Sequence, residues 1–337
     1  MSETNNNRIK NGKPLHSHPG FESNLELDGI GLQHYPIFGT EVFQDPTALL
    51  STFNPNALSG TRINCRDGES FVSVSKERLS WSLVQGLGFC GATHPGARKV
   101  LDAITTRARV ISNSDCLYVN MSDRVFAVSD APDLSVYSRK LLTDIDENLG
   151  NGQELEEIVN SASQRIGTDD HATLSLICFP PKEAGTLARA SVFVAGDSYV
   201  LYGNRFDGKL ARIEGNPLFI GRSCGQCEPH HLDLMGGDFF VIASDGILEA
   251  RTAGYANIED ALKDSLDLDD LPGSTLRIVQ RCNAVTKDEF QGKEKSRPNG
   301  WDNVSVLIVY PERLTSCTHS KARLLGGWIS YSPHSFQ

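Results

Sequence analysis

Three aspartates stand beside strongly apolar runs, each next to a small or polar residue: Asp130 after Val125-Phe-Ala-Val-Ser129, Asp245 after Phe239-Phe-Val-Ile-Ala-Ser244, and Asp302 just before Asn303-Val-Ser-Val-Leu-Ile-Val309. A fourth, Asp115 in Asn113-Ser-Asp-Cys-Leu-Tyr-Val119, opens a β-like run in the same manner. Carboxylates at the ends of central strands can converge on one spot while the strands hold them rigidly, and that is what hard divalent cations require of their oxygen donors. Taken singly, each reads first as an Asp at an ordinary strand end or turn. Their combination points to a cation cluster.

The elements that must position them follow from periodicity. Asp123 to Ser129 is a short β-rich run, and Ser135 to Leu149 and Glu154 to Ile166 carry helical patterns separated by Gly150-Asn-Gly152. Further strands are predicted at 172–179, 190–195, 199–202 and 210–213, with Pro180-Pro181, Gly196-Asp197 and Asp207-Gly208 as turns between them. Phe239 to Ala243 is apolar on both faces, 258–266 and 275–285 read as helices, and 304–309 is a last strand. His230 and His231 start a strand, and Gly86-Leu-Gly88 with Gly91 reads as a strand with a close backbone approach. Strand runs and helix pairs in separate blocks, joined by tight turns, argue for an α+β fold with antiparallel sheets.

Composition narrows the function classes. The chain has 337 residues, 39% hydrophobic and 22% charged, enough for one large or two smaller globular domains. With 32 basic and 42 acidic residues the net charge is −10, which argues against wrapping a phosphate backbone, so no nucleic-acid partner is expected. No stretch approaches the ~20 apolar residues of a membrane span, the opening residues show no secretory pattern, and most of the 8 cysteines are isolated in apolar surroundings. The reading is a cytoplasmic (intracellular) protein with reduced, mostly buried thiols and no membrane insertion.

In order along the chain, Asn113-Ser-Asp115, Val125-Phe-Ala-Val-Ser-Asp-Ala131, Val194-Ala-Gly-Asp-Ser198, Phe240-Val-Ile-Ala-Ser-Asp-Gly246 and Trp301-Asp-Asn-Val-Ser-Val306 resemble the ordered motifs of the metal-dependent protein phosphatase family, also called protein phosphatase type 2C. Ser244-Asp-Gly-Ile-Leu-Glu-Ala250 is also similar to bacterial regulatory phosphatases of sporulation and stress response. The resemblance covers about residues 85 to 311. It implies a four-layer α-β-β-α sandwich, two antiparallel sheets flanked by helices, with two Mn²⁺ or Mg²⁺ ions in a cleft at one end. It implies hydrolysis of phosphoserine or phosphothreonine in a phosphorylated protein substrate by a two-metal-activated water, needing no protein nucleophile. Carried over by position, Asp130 bridges both ions, Asp245 and Asp302 each bind one, Asp115 contacts the cluster directly or through water, and the carbonyl of Ala131 adds a ligand. Asp169 stands about where the family binds a looser third metal, or simply ends a helix beside Asp170.

Three positions depart from the family pattern. Ser114 stands for a metal-binding Glu, Val110 for a phosphate-binding Arg, with Arg109 the nearest substitute, and Pro132 for a His proposed as general acid. They motivate a second reading, a catalytically impaired phosphatase-like module that regulates or binds, and a third is a phosphatase of small metabolites. Against impairment, like charges have no physical reason to converge without cations. Cys224-Gly-Gln-Cys227 with His230 and His231 lacks the second half of a zinc site and closes too short a loop. Lys287 to Arg297 reads as a solvated loop, and Trp301 as packing beneath the final strand. The expected organisation is a flexible arm (1–25), an extension of irregular or short-strand structure (26–80), a catalytic domain (81–311) and a peripheral tail (312–337).

Overall fold

The computed structural model describes residues 32–34, 61–64, 70–73, 82–96, 110–166, 170–179, 188–221, 226–248, 258–283, 302–314 and 322–331. In chain order these form β1 (Leu32–His34), β2 (Thr61–Asn64), β3 (Ser70–Ser73), β4 (Ser82–Gly86), β5 (Phe89–His94), β6 (Val110–Asn120) and β7 (Val125–Ser129). Helices α1 (Tyr137–Asn148) and α2 (Leu155–Ile166) follow, then β8 (Leu174–Cys178), β9 (Arg189–Ala195), β10 (Tyr199–Asn204), β11 (Leu210–Ile213), β12 (His230–Asp233) and β13 (Asp238–Ala243). The remainder is α3 (Asp245–Leu248), α4 (Ile258–Ser265), α5 (Leu271–Asn283), β14 (Val304–Val309) and β15 (Arg323–Tyr331).

Two six-stranded sheets, ordered β11-β10-β13-β14-β5-β4 and β12-β9-β8-β7-β6-β15, are antiparallel throughout. Alternation along their strands assigns the layers. In β7, Phe126 and Val128 join the core between the sheets, whereas Val125 and Ala127 pack with Leu141, Leu142 and Ile145 of α1 and Ile158 of α2. In β13, Phe240 and Ile242 face the same inter-sheet core, whereas Phe239, Val241 and Ala243 pack with Leu262 of α4 and Leu276 and Val279 of α5. Both faces of each central strand are therefore buried, which is why their sequences read as unbroken apolar runs. The result is an α-β-β-α sandwich.

Most predicted elements lie within a few residues of the observed ones, with three corrections. Leu87-Gly88 is a hairpin turn, while Gly86 ends β4 and Gly91 lies in β5, so the expected single strand is two strands joined by that turn. Helix α5 begins at Leu271, four residues before the expected start at Thr275: Pro272 needs no N–H partner in a first turn, and Asp270 accepts the Gly273 N–H there. The segment after Pro311, expected to be peripheral, supplies β15, an edge strand paired along β6 from Val110 to Val119. Gly326-Gly327 lies inside this strand. The pair forms a bulge in the ladder, and Arg139 of α1 donates Nη1 to the Gly326 carbonyl at 3.1 Å. Gly326 has φ +85°, and a Cβ there would lie 2.1 Å from the Asp115 carbonyl oxygen. Within the expected 26–80 extension, β1, β2 and β3 make a small antiparallel sheet.

Gly326→Ala is therefore expected to cost at least about 2 kcal/mol, because it combines left-handed strain with a backbone clash. Urea unfolding measures it. An unchanged midpoint would mean that residues 323–331 do not pair with β6 in solution.

Candidate active site

The inter-sheet core is apolar over most of its length and turns polar at one end. Leu117 and Val119 of β6 point into it, so Asn113 and Asp115 on the same pleat do too. Asp115 thus lies in the middle of β6, not at the start of a strand as expected, and is 1% exposed. Ser244 at the end of β13 reaches from the opposite sheet and donates its hydroxyl to Asp115 Oδ2 at 2.7 Å, while Ser244 Oγ accepts the Ser305 N–H at 2.9 Å. Thr93 Oγ1 accepts from Asn113 Nδ2 at 2.8 Å and from Ser305 Oγ at 2.7 Å. The Ser244–Asp115 and Asn113–Thr93 bonds join the two sheets where apolar packing stops.

Asp130 follows β7, and the pairing of Cys116 with Ser129 sets it across from Asp115. Its N–H donates to Thr173 Oγ1 at 2.8 Å, and its Oδ1 accepts the Ala131 N–H at 2.6 Å. Asp245 starts α3 directly after Ser244, and Asp302 precedes β14. Because β13 and β14 are antiparallel, the end of one and the start of the other lie together. Gly246 permits the approach: a Cβ there would fall 1.8 Å from the Asn303 carbonyl oxygen. Asp302 Oδ1 accepts the Asn303 N–H at 2.8 Å. Asn303 is fixed in turn by Ser114, whose hydroxyl and N–H both donate to Asn303 Oδ1, at 2.6 and 3.1 Å, while Asn303 Nδ2 donates to the Pro95 carbonyl at 3.0 Å. The residue that departs from the family pattern ties the strand of Asp115 to the neighbour of Asp302.

Asp130, Ala131 and Asp302 line an open pocket of about 270 Å³, together with Ser114, Pro132, Asp133, Thr173, Asp197, His171 and Phe219. The last two escaped the sequence reading. Ala172 and Ile220 exchange backbone hydrogen bonds as an isolated antiparallel pair, and both side chains are buried against the helix layer. Their neighbours His171, Thr173 and Phe219 consequently turn the other way, into the pocket. The polar alternation His171, Thr173, Ser175 was the available signal.

Charge dominates the electrostatics. Burial first, and then the charges of Asp115, Asp245 and Asp302, raise the Asp130 carboxyl well above the usual carboxylate range. Burial also pushes Asp115 from 3.8 up to about 6, against the lowering effect of hydrogen bonding with Asp130 and Ser244. Asp115 and Asp130 are close enough to share a proton, and with both ionised the buried Asp115 Oδ1 has no hydrogen-bond partner. A cluster of mutually destabilised carboxylates with one orphaned oxygen is a donor set that fits a hard divalent cation. Among the described residues no group of three His, Cys, Asp or Glu side chains is already arranged to hold a metal ion. Asp130 and Asp302 each turn an oxygen to the following N–H, and Asp115 turns one to Ser244.

Other candidates fall elsewhere. Arg109, Asp169, Trp301, Cys224 and 287–297 lie outside the described residues. Cys227 is buried beneath the helix layer whereas His230 and His231 are exposed on β12, so these three do not converge on a zinc ion. Burial pushes the thiols of Cys90, Cys116, Cys178 and Cys282 up to about 12, leaving none of them a thiolate nucleophile. Among the described residues no helix is long and apolar enough to cross a membrane.

No protein-family model matches the chain, and neither does any curated protein. Its fold is similar to solved phosphatase structures of the PPM and PP2C type. The PPM Ser-Thr phosphatase MsPP from Mycobacterium smegmatis, in complex with cacodylate, is 18% identical, with 66% of this chain and 97% of that one covered at a TM-score of 0.47. PppA, a regulatory component of T6SS in Pseudomonas aeruginosa, is 15% identical, with 66% and 96% covered at 0.48. The catalytic domain of the serine threonine phosphatase PstP, in complex with two manganese ions, is 15% identical, with 71% and 98% covered at 0.46. These are likenesses of fold. What the site can do is decided by its own residues.

A carboxyl whose folded pKa is raised binds its proton more tightly folded than unfolded, so stability is greatest below the unfolded value and is lost as pH climbs. In chelator the protein is expected to lose on the order of 2 kcal/mol between pH 4 and pH 6 through Asp115. Asp115→Asn flattens that loss and raises the urea midpoint at pH 7 above wild type. A wild-type profile already flat over this range would exclude the buried proton.

Proposed function

We propose that this protein is a phosphomonoesterase dependent on Mn²⁺ or Mg²⁺, acting on phosphoserine or phosphothreonine in proteins. The observation that carries the reading is the gathering of Asp115, Asp130, Asp245 and Asp302 at the polar end of the inter-sheet core, where each raises the proton affinity of Asp130 or is raised with it. Four carboxylates carry about the negative charge that two divalent cations cancel, and all four offer oxygen donors alone.

Asp130, Asp245 and Asp302 would hold the cations, with Asp115 behind them and Ala131 beside Asp130 at the pocket wall. When bound, such cations supply Lewis-acid activation of water and neutralise charge on the phosphoryl oxygens. The chain's own contribution is rigidity. Thr173 holds the backbone of Asp130, Asn303 holds Asp302, and Ser244 orients Asp115 across the sheets. The open pocket admits a phosphorylated side chain. No thiol supplies a nucleophile among the described residues, which suits attack by water. Ser114 offers a hydroxyl already spent on Asn303, so this cluster works with one carboxylate fewer than the family pattern. A third cation at Asp169, a phosphate contact from Arg109 and a cytoplasmic setting belong to the same reading.

The purified chain is expected to hydrolyse an aryl phosphate and a phosphothreonine peptide only with Mn²⁺ or Mg²⁺ present. Asp130→Asn, Asp245→Asn and Asp302→Asn should each reduce turnover by at least about a hundredfold, the scale of losing one preorganised electrostatic group. Wild-type turnover no higher than that of the variants would leave a phosphatase-like binding module. Turnover confined to small phosphorylated metabolites would move the substrate from protein to metabolite.

A further inference from the structure

The pocket beside Asp130 and Asp302 is short of hydrogen-bond donors. Its charged side chains are all aspartates: Asp130, Asp133, Asp197 and Asp302. The Ser114 hydroxyl donates to Asn303, the Ala131 N–H to Asp130, and the Thr173 hydroxyl is engaged with Ser198. Cations held by the aspartates would neutralise only part of a phosphoryl group, whose other oxygens would still need donors from the chain. Among the described lining residues, His171 is the side chain that answers this need. Its ring meets Phe219 edge to face, with centroids 5.4 Å apart and planes at 79°, and makes no hydrogen bond within the described residues. The Ala172 to Ile220 pair fixes both rings on the pocket side.

We propose that His171 is a substrate-binding residue that donates an imidazole N–H to a phosphoryl oxygen of the bound phosphomonoester, with Phe219 as the positioning residue that sets the ring. An imidazole ring carries at least one N–H donor for this contact. The inference rests on the phosphatase reading for its substrate. It differs in predicting phosphate affinity apart from turnover.

The test is calorimetric titration of the Mn²⁺-loaded full chain with inorganic phosphate, alongside steady-state hydrolysis of a phosphothreonine peptide. His171→Ala should weaken phosphate binding tenfold or more, the size of one hydrogen bond to a charged group, and raise KM more than it lowers kcat. His171→Gln, which keeps an N–H donor, should recover most of the affinity, and Phe219→Ala should fall between. Mn²⁺ affinity should be the same in all four proteins. Active wild type with His171→Ala unchanged in phosphate affinity and KM overturns the role of His171 alone. Phosphate binding that depends on His171 without hydrolysis overturns the enzyme reading and leaves His171 as an anion ligand. Wild type that neither binds phosphate nor hydrolyses the peptide overturns both.

Discussion

Mutual repulsion among carboxylates at the polar end of the inter-sheet core is the constraint around which this protein is organised. A like-charged pair about 4 Å apart costs on the order of 4 kcal/mol near a protein surface, and burial adds to that. Such a cluster forms only if something stronger holds its parts, and here two six-stranded sheets do so. The apolar core formed by Phe89, Leu117, Phe126, Val128, Phe240, Ile242 and Leu307 clamps the sheets face to face. The aspartates emerge from the same strands a few residues further on. Protons relieve the charge, and divalent cations would do so under the proposed function, so that the energy of the core becomes affinity for positive charge.

The hydroxyl and amide groups around the cluster form the transition between these regimes. Thr93, Asn113, Ser244 and Ser305 are each no more than 0% exposed, yet all are hydrogen-bonded across or within the sheets. They keep the carboxylates oriented where Leu or Val would leave them free to turn. Ser114 belongs to this set. As a departure from a metal-binding Glu it looked like a loss, but in the folded chain it secures Asn303 and so the start of β14 next to Asp302. β15 provides backing from behind, its glycine bulge lying against the backbone of Asp115.

Legibility in the sequence followed how local each signal was. Strands β7, β13 and β14 were readable because a doubly buried strand is apolar throughout, and α1 and α2 because their buried faces repeat at helical spacing. The strand β15 and the first turn of α5 were missed for one reason. Gly and Pro break a pattern locally, whereas a bulge or a first turn accommodates them for reasons that lie in the partner strand or at the helix end. His171 escaped notice as a pocket residue because nothing in its own segment says that its neighbour Ala172 pairs with Ile220.

The sequence alone therefore determined the chemistry on offer: an acidic, oxygen-donor set next to apolar strands, in an order that resembles the motifs of one family of phosphatases, with sheets and helices in separate blocks. Tertiary structure alone decided which of those groups meet. It placed Asp115 inside the sandwich rather than at a strand start, turned Ser114 into a tie between strands, brought His171 and Phe219 to the pocket and recruited residues 323–331 into the sheet. The physical reason is separation along the chain. Hydrogen bonds such as Ser244 to Asp115 and Ser114 to Asn303 span more than a hundred residues, and no local pattern encodes contacts that exist only after two sheets have closed on a common core.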